Sequence, residues 1–350
     1  MAPIALVLSG ASLALAGSPS WQPLPTDIDT VAVGSCAHSA APTQPVWAAV
    51  REAEPDVLLL LGDNVYADTE DPERLAKALR RLGRRPRFRR LTREVPVLAT
   101  WDDHDFGPND SDGRHARKDE VRQVTLDFFG AAADDPRRTR PDGLYGAWTL
   151  GSKGRRVQVV LLDTRYDLSP RAPRTDGGVG RYAPGPGQVL GDAQWAWLEE
   201  VLEEPAELRI IGSSIPFATE YTGWETWSNF PDEQLRMLEM LRDVGPVLVV
   251  SGDVHYGELS ALAGVTDLTS SGLRTRPYPR LPNRHRIDDL VYDDEHFALV
   301  SIDWGASEVQ LSWHTPRGEV AMTTTMRFTD LTPPVARTET EPPPAPPPAD

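Results

Sequence analysis

Residues 57–64 read VLLLLGDN, and they indicate the fold class of this 350-residue chain more directly than any other stretch. Five consecutive apolar residues before a glycine are typical of a strand that is buried on both faces, as in a parallel sheet. A carboxylate and an amide follow at once, and ligands bind beyond the carboxyl ends of the strands in open α/β sheets. The segment therefore predicts an α/β sheet with a polar site beyond its carboxyl edge.

Similar strand patterns that end in polar residues recur along the chain and alternate with segments of helical spacing. The other predicted strands of this kind are residues 31–33, 95–101, 157–162, 208–212 and 247–250. The predicted helices are residues 46–53, 72–82, 119–129, 192–202 and 231–241. Residues 297–304, 308–314 and 322–328 predict antiparallel strands. This order predicts helices outside one sheet, a second sheet packed on the first, and polar strand ends that converge.

The chain is predicted to fold as one domain over residues 30–330. Residues 1–29 are predicted to be a signal peptide and leader, because an interrupted apolar run ends at the small residues Ala14-Leu15-Ala16. We therefore expect an extracytoplasmic protein, periplasmic or secreted. Since no Lys or Arg precedes the run, an apolar amino terminus on a cytoplasmic protein is the alternative. Residues 331–350 are rich in proline and are predicted to be a flexible tail.

Composition limits the classes of partner. The 52 acidic residues outnumber the 36 Lys and Arg residues and give a net charge of −16. Such a chain is not expected to bind nucleic acid stably through a broad positive surface, whereas an enzyme that holds cations fits. Cys36 is the one cysteine, so the chain forms no internal disulfide and no cysteine-cluster zinc site. No segment is predicted to span a membrane, and the sequence does not indicate an oligomeric state.

Three polar motifs follow predicted strands. In GDNVYAD (residues 62–68), Asp63 can bridge two cations and Tyr66 suits Fe³⁺, although an ordinary turn explains both. In WDDHDFGPND (residues 101–110), four carboxylates, a histidine and an asparagine indicate bound cations, or else an acidic surface loop. In SGDVHYGE (residues 251–258), Asp253 and His255 can face one centre, or belong to a turn with a satisfied histidine.

Other residues leave two interpretations open. Cys36 ends the first strand and is either buried packing or a thiolate ligand. Arg165, in DTR, either binds a phosphate or forms a salt bridge with a neighbouring acid. The arginine-rich residues 80–90 form either a rim that attracts anionic substrate or a helix end paired with surface acids. The tryptophan-rich residues 224–230 form either a pocket wall or part of the core.

The motifs GSC, GDNVYAD, WDDHDFGPND, DTR, GDAQWAWLE, GSS and SGDVHYGE stand in this order between residues 31 and 262. Together they resemble the alkaline phosphatase D (PhoD-like) family of calcineurin-like metallophosphoesterases. The resemblance implies an α/β fold, a four-layer αββα metallophosphoesterase sandwich, with a dinuclear or larger metal centre between the sheets. It implies that His104 donates a proton to the leaving group. The implied Fe³⁺ ligands are Cys36, Asp63, Tyr66 and His255, and the implied ligands of the second metal are Asp63, Asp103, Asp253 and Asn109.

The chain departs from the wider superfamily at its metal ligands. GSC replaces the usual D-x-H of the first motif, Asp103 replaces an asparagine, and Asp253 replaces a histidine. Oxygen ligands at the second site favour Ca²⁺, although other divalent metals also fit. The twin-arginine signal frequent in the family is missing.

We expect a hydrolase that acts on phosphate esters through attack by a metal-activated hydroxide. In this reading, His104 is the general acid and Arg165 neutralises charge on the transferred group. The first alternative is a phosphodiesterase that acts on phospholipids or nucleic-acid ends. The second is a cation-dependent binding protein that is catalytically silent.

Overall fold

Two large mixed β-sheets lie face to face in the computed structural model, which describes residues 19–38, 45–178, 180–220, 223–274 and 280–334. The predicted signal peptide up to residue 18 and the predicted tail from residue 335 lie outside the described residues. The limits predicted for the folded domain stay predictions. None of the described helices has the length and apolarity that a membrane crossing requires.

The strands and helices carry the following bounds in chain order. The strands are β1 (Thr30–Gly34), β2 (Val57–Leu61), β3 (Val97–Thr100), β4 (Gly146–Leu150), β5 (Val157–Leu161), β6 (Ala172–Pro173), β7 (Tyr182–Ala183), β8 (Leu208–Gly212), β9 (Val247–Ser251), β10 (Gly257–Leu262), β11 (Val265–Ser270), β12 (Arg286–Tyr292), β13 (Phe297–Asp303), β14 (Glu308–His314) and β15 (Val320–Arg327). The helices are α1 (Pro45–Glu52), α2 (Pro72–Gly83), α3 (Pro86–Leu91), α4 (Asp103–Phe106), α5 (Lys118–Phe128), α6 (Gly191–Leu202) and α7 (Pro231–Met240). Short 3-10 turns cover Pro136–Arg138, Trp227–Asn229 and Leu241–Asp243.

The parallel strands of each sheet bring their carboxyl ends to a common edge. The first sheet has the order β15-β14-β13-β1-β2-β3, in which β1, β2 and β3 are parallel. The second sheet has the order β12-β10-β11-β9-β8-β5-β4, in which β5, β8, β9 and β11 are parallel. The outer strands β13–β15 of the first sheet and β10, β12 and β4 of the second run antiparallel to their neighbours.

Alternate residues of each central strand face different apolar layers. Val57, Leu59 and Leu61 of β2 pack between the sheets, against side chains of β5, β8 and β9. Leu58 and Leu60 face the other way, toward helices α1, α2 and α5. The outer face of the second sheet packs in the same manner against α6 and α7. Burial on both faces explains the unbroken VLLLL run and confirms the predicted four-layer αββα fold.

Strands β10 and β11 were not predicted, because polar residues interrupt their apolar pattern. Glu258 of β10 is buried and accepts hydrogen bonds from Arg286 Nε at 2.7 Å and from the Asn283 amide. Asp267 of β11 is buried and accepts hydrogen bonds from the backbone N–H groups of Phe217 and Ala218 at 2.8 and 3.0 Å. Partners distant in sequence satisfy these acids, so periodicity alone misses the strands.

The loops beyond β2 and β3 approach each other at Gly62. This glycine has a φ of +105°, a backbone conformation that favours glycine. A Cβ added there would lie 2.5 Å from Asp102 Cβ and 2.6 Å from the Asp102 nitrogen. The contact brings the acidic residues after the two strands close together.

We predict that Gly62→Ala destabilises the fold more than Gly154→Ala does. Both positions have a positive φ, but an added Cβ at Gly154 meets nothing within 4 Å. The clash with Asp102 should lower the free energy of unfolding by about 1–3 kcal/mol beyond the loss in the Gly154 variant. Urea unfolding of both variants measures the difference, and equal losses would contradict a close approach at Gly62.

Candidate metal centre

Side chains that follow β1, β2, β3 and β9 converge at the carboxyl edge of the two sheets. Among the described residues, their ligand atoms form groups in which all atoms lie within 4.8 Å of one another. The groups are Cys36 with Asp63 and His255; Asp63 with Asp103 and His104; Asp102 with Asp103 and Asp253; and Asp103 with Asp110 and Glu225. Because neighbouring groups share Asp63 or Asp103, they form one continuous cluster.

The first group joins a thiol, a carboxyl and an imidazole. Cys36 Sγ lies 3.5 Å from Asp63 Oδ2, and both residues are buried. Tyr66 Oη lies 3.1 Å from His255 Nε2 and adds a phenol to the set. The structure therefore brings together the four residues that the resemblance assigned to one metal.

Burial and mutual repulsion act on the charges of this group. Burial, followed by the charge of Asp63, raises the pKa of the Cys36 thiol. Burial, followed by the charge of Asp103, raises the pKa of the Asp63 carboxyl. Burial, with the charge of His104, lowers the pKa of His255 to about 4, so its imidazole is neutral, the form that binds metals. Without a cation, the anionic forms of Cys36 and Asp63 are strongly disfavoured.

A bound metal ion fits this set of residues. Asp63 Oδ1 is buried and has no hydrogen-bond partner among the described residues, and the same holds for Asp102 Oδ2. Buried carboxylate oxygens in native proteins almost always have a partner, because an unsatisfied one is costly. A cation would satisfy both atoms and would also offset the repulsion among the acids.

The residues that offer these groups share an unusual backbone conformation. The φ angles of Cys36, Asp63, Asp253 and His255 are 60°, 52°, 72° and 64°. Non-glycine residues in the left-handed region cost about 1–3 kcal/mol each and cluster at active sites and ligand clamps. The strained turns point to a site whose geometry the surrounding sheets enforce.

The acidic side of the cluster contains two of the predicted ligands and further acids that were not predicted as ligands. Asp103 and Asp253 lie together as predicted, but Asn109 is exposed. Its neighbour Asp110 lies in the cluster, and its backbone N–H donates to Asp103 Oδ2 at 2.6 Å. Glu225 also joins the cluster and was not predicted, because its tryptophan-rich surroundings resemble core. A ligand role for Asn109 stays a prediction.

Arg165 forms the salt bridges that one of its two interpretations predicted. Its side chain is fully buried, and Nε donates to Asp102 Oδ1 at 2.6 Å. Nη1 donates to Glu225 Oε1 at 2.7 Å, and Nη2 lies 4.0 Å from Asp103 Oδ1. Arg165 therefore compensates the charge of the acidic cluster from within the protein. Direct contact between Arg165 and a phosphate stays a prediction.

His104 stands beside the cluster and is only partly exposed. Its Nδ1 lies 2.6 Å from Asp68 Oδ1, and its ring packs against the Tyr66 ring at a tilt of 34°, with centroids 4.1 Å apart. Burial lowers the pKa of His104, but the charge of Asp103 and the hydrogen bond to Asp68 outweigh it, so the pKa lies above its usual value. Asp68 belongs to the GDNVYAD motif but was not predicted as a partner of His104.

The two composition-biased stretches occupy different places. The arginine-rich residues 80–90 lie on α2 and α3, before the amino end of β3, whereas the cluster follows the carboxyl ends. Arg90 pairs with the surface acid Glu94, with Nε 3.3 Å from Oε1, as one interpretation predicted, and a role of this stretch in attracting substrate stays a prediction. Trp227 and Phe230 are buried in the core beneath α7, as the packing interpretation predicted.

Comparison with known proteins gives a family and a fold. A family model described as PhoD-like phosphatase matches residues 31–273. A solved structure titled "Structure of PhoD" is 15% identical with a TM-score of 0.68, and the alignment covers 88% of this chain and 71% of that one. A second, GAP50, the anchor in the inner membrane complex of Plasmodium, is 12% identical with a TM-score of 0.55, covering 85% of this chain and 88% of that one. No curated protein sequence gives a significant match.

At these identities the two structures show the fold alone, and the family model carries the assignment. The matched region, residues 31–273, contains every group of the acidic cluster. PhoD-like phosphatases are metal-dependent hydrolases that act on phosphoric ester bonds, so the substrate is a phosphate ester. The family match, the fold and the clustered strand-end ligands agree that the chain belongs to the PhoD-like phosphatase family.

Proposed function

We propose that the chain is an alkaline phosphatase-like enzyme that hydrolyses phosphate monoesters at a centre of Fe³⁺ and Ca²⁺. The observation that carries the proposal is that Asp63 is shared by two groups of candidate metal ligands that differ in donor chemistry. One is the group of Cys36, Asp63 and His255. On its other side Asp63 lies within 4.8 Å of Asp103, which in turn groups with Asp102 and Asp253. A shared carboxylate between unlike donor sets is typical of a centre with two metals.

The donor chemistry supports a different metal on each side of Asp63. Cys36, Tyr66 and His255 offer a thiolate, a phenolate and an imidazole, which suit Fe³⁺. Asp103 and Asp253 offer only carboxylate oxygens, which suit Ca²⁺ or another hard divalent ion. When bound, such ions supply Lewis acidity, which polarises a phosphate ester and makes water a better nucleophile.

Residues of the chain itself supply the proton for the leaving group and hold the acidic side chains in position. Asp68 accepts a hydrogen bond from His104 Nδ1–H, which fixes the imidazole ring and leaves Nε2 for the substrate. A protonated His104 can then donate to the leaving-group oxygen. Arg165 holds Asp102 and Glu225 and limits the repulsion around Asp103. The Asp68–His104 pair favours turnover over a silent cation-dependent binding protein, which needs no general acid.

We predict that His104→Ala lowers turnover according to the leaving group. Phenyl phosphate needs a proton on departure and should lose about 10²–10⁴-fold in kcat. p-Nitrophenyl phosphate, whose leaving group departs as an anion, should lose less. Steady-state kinetics and metal analysis check this, with His285→Ala as the control because His285 lies outside the cluster. Loss of metal from the His104 variant would mark His104 as a ligand instead.

We also predict that chelation abolishes phosphate ester hydrolysis. The test measures the release of p-nitrophenol from p-nitrophenyl phosphate and from bis-p-nitrophenyl phosphate at mildly alkaline pH. Each substrate is assayed first with Ca²⁺ and then with excess chelator. Faster release from the monoester is expected, whereas faster release from the diester would support the phosphodiesterase alternative. No release from either substrate, in protein shown to contain its metals, would contradict the proposal of a general phosphatase.

We propose further that the chain is exported and acts outside the cytoplasm. The support is the apolar run that ends at Ala14-Leu15-Ala16. Amino-terminal sequencing of the mature protein should find a start after Ala16. An intact Met1 in exported material would contradict cleavage at this point.

A further inference from the structure

A short segment, residues 270–274, ties the two sheets together beside the first metal group. It leaves β11 of the second sheet and lies against the end of β1 in the first. The Leu273 and Arg274 N–H groups donate to the carbonyls of Ser35 and Cys36 at 3.1 and 3.0 Å. Ser270 Oγ donates to the Val33 carbonyl at 2.9 Å. The segment is thus held by main-chain hydrogen bonds at the point where Cys36 enters the cluster.

Ser271 is the residue of this segment whose side chain touches the cluster. Its side chain is fully buried, and Oγ lies 3.1 Å from Cys36 Sγ. The same oxygen accepts a hydrogen bond from the His255 backbone N–H at 2.8 Å. One hydroxyl therefore contacts two proposed ligands of the same metal, one from each sheet.

The hydrogen-bonding capacity of a hydroxyl sets the direction of these contacts. A serine hydroxyl has one proton and two lone pairs, and the His255 N–H uses a lone pair. A thiolate carries no proton, so Ser271 donates its proton to Sγ when Cys36 is ionised. Hydrogen bonds to a ligand from outside the metal's own donor set orient that ligand and change metal affinity by about 10–100-fold.

The surroundings hold Ser271 firmly in place. His296 N–H donates to the Gly272 carbonyl at 2.7 Å. A Cβ added at Gly272 would lie only 2.1 Å from His296 Nδ1, so the buried imidazole packs directly on this backbone. Such packing fixes the hydroxyl before a metal arrives.

We propose that Ser271 is a positioning residue that sets metal retention and the electronic properties of the thiolate at the group of Cys36, Asp63 and His255. This inference rests on the proposed function, because it assumes that Cys36 and His255 bind one metal. Ser271 acts through these two residues and does not contact the phosphate ester.

Ser271→Ala tests the inference, with Ser35→Ala as the matched control. Ser35 is equally buried, and its single hydroxyl proton faces two acceptors, the Ser270 carbonyl at 3.2 Å and Cys36 Sγ at 3.6 Å, so it is a longer and weaker donor to the sulfur than Ser271. Each purified protein is dialysed against increasing chelator, the retained metal per chain is measured, and the visible absorption of the bound metal is recorded. Ser271→Cys, which keeps a weak donor of similar size, is the conservative variant, and thermal unfolding checks that each protein folds.

Ser271→Ala should release its metal at about 10–100-fold lower chelator concentration than wild type and shift the visible absorption band. The metal retention of Ser271→Cys should lie between those of Ser271→Ala and wild type. Ser35→Ala should lose much less metal than Ser271→Ala, because Ser35 is the longer donor to the sulfur, whereas Ser271 also accepts the hydrogen bond from the His255 backbone. Wild-type retention and spectrum in Ser271→Ala, or equal losses in Ser271→Ala and Ser35→Ala, would overturn the inference. If Ser271→Ala does not fold, the spectrum and retention of Ser271→Cys decide. A wild-type protein that holds no metal would overturn the proposed function itself, and the inference with it.

Discussion

Repulsion among buried carboxylates is the constraint on which the rest of this structure depends. Asp63, Asp102, Asp103 and Asp253 lie close together at the edge of both sheets, with most of their surface removed from water. Arg165 contacts Asp102 of this group and also pairs with Glu225, which forms a second salt bridge with the buried side chain of Arg171. If all of these carboxyl groups were ionised, they would carry a net negative charge in a poorly solvated space, and burial and repulsion raise the pKa values of Asp63, Asp102 and Asp253 accordingly. Cations resolve this imbalance, and the same cations are what phosphoryl chemistry requires.

The fold meets this constraint by placing strained turns at the ends of rigid strands. The central strands are buried on both faces, so the loops after them begin from fixed positions. Cys36, Asp63, Asp253 and His255 all take left-handed backbone conformations there. The large apolar layers between and outside the sheets stabilise a conformation that the turns alone would not keep.

Local patterns predicted the parts of this design that depend on neighbouring residues. The run before Asp63 predicted both a buried strand and a polar edge, because burial on two faces leaves an unbroken apolar pattern. The parts that depend on distant partners were missed. Glu225 reaches the cluster from a stretch that resembles core, and Ser271 follows an unpredicted strand in a stretch with no motif. For Arg165, sequence could not choose between a phosphate and an acid, since that depends on where Asp102 lies.

The group of Cys36, Asp63 and His255 takes its members from both sheets. An ion held there links the two halves of the sandwich through bonds that the unfolded chain does not offer. Binding to the native state alone stabilises it by linkage, about 2.7 kcal/mol when the free ion is 100 times its dissociation constant. The stability of the packing between the two sheets then depends on the concentration of the free metal ion around the protein. A shortage of the metal would therefore lower the stability of the folded protein as well as its activity.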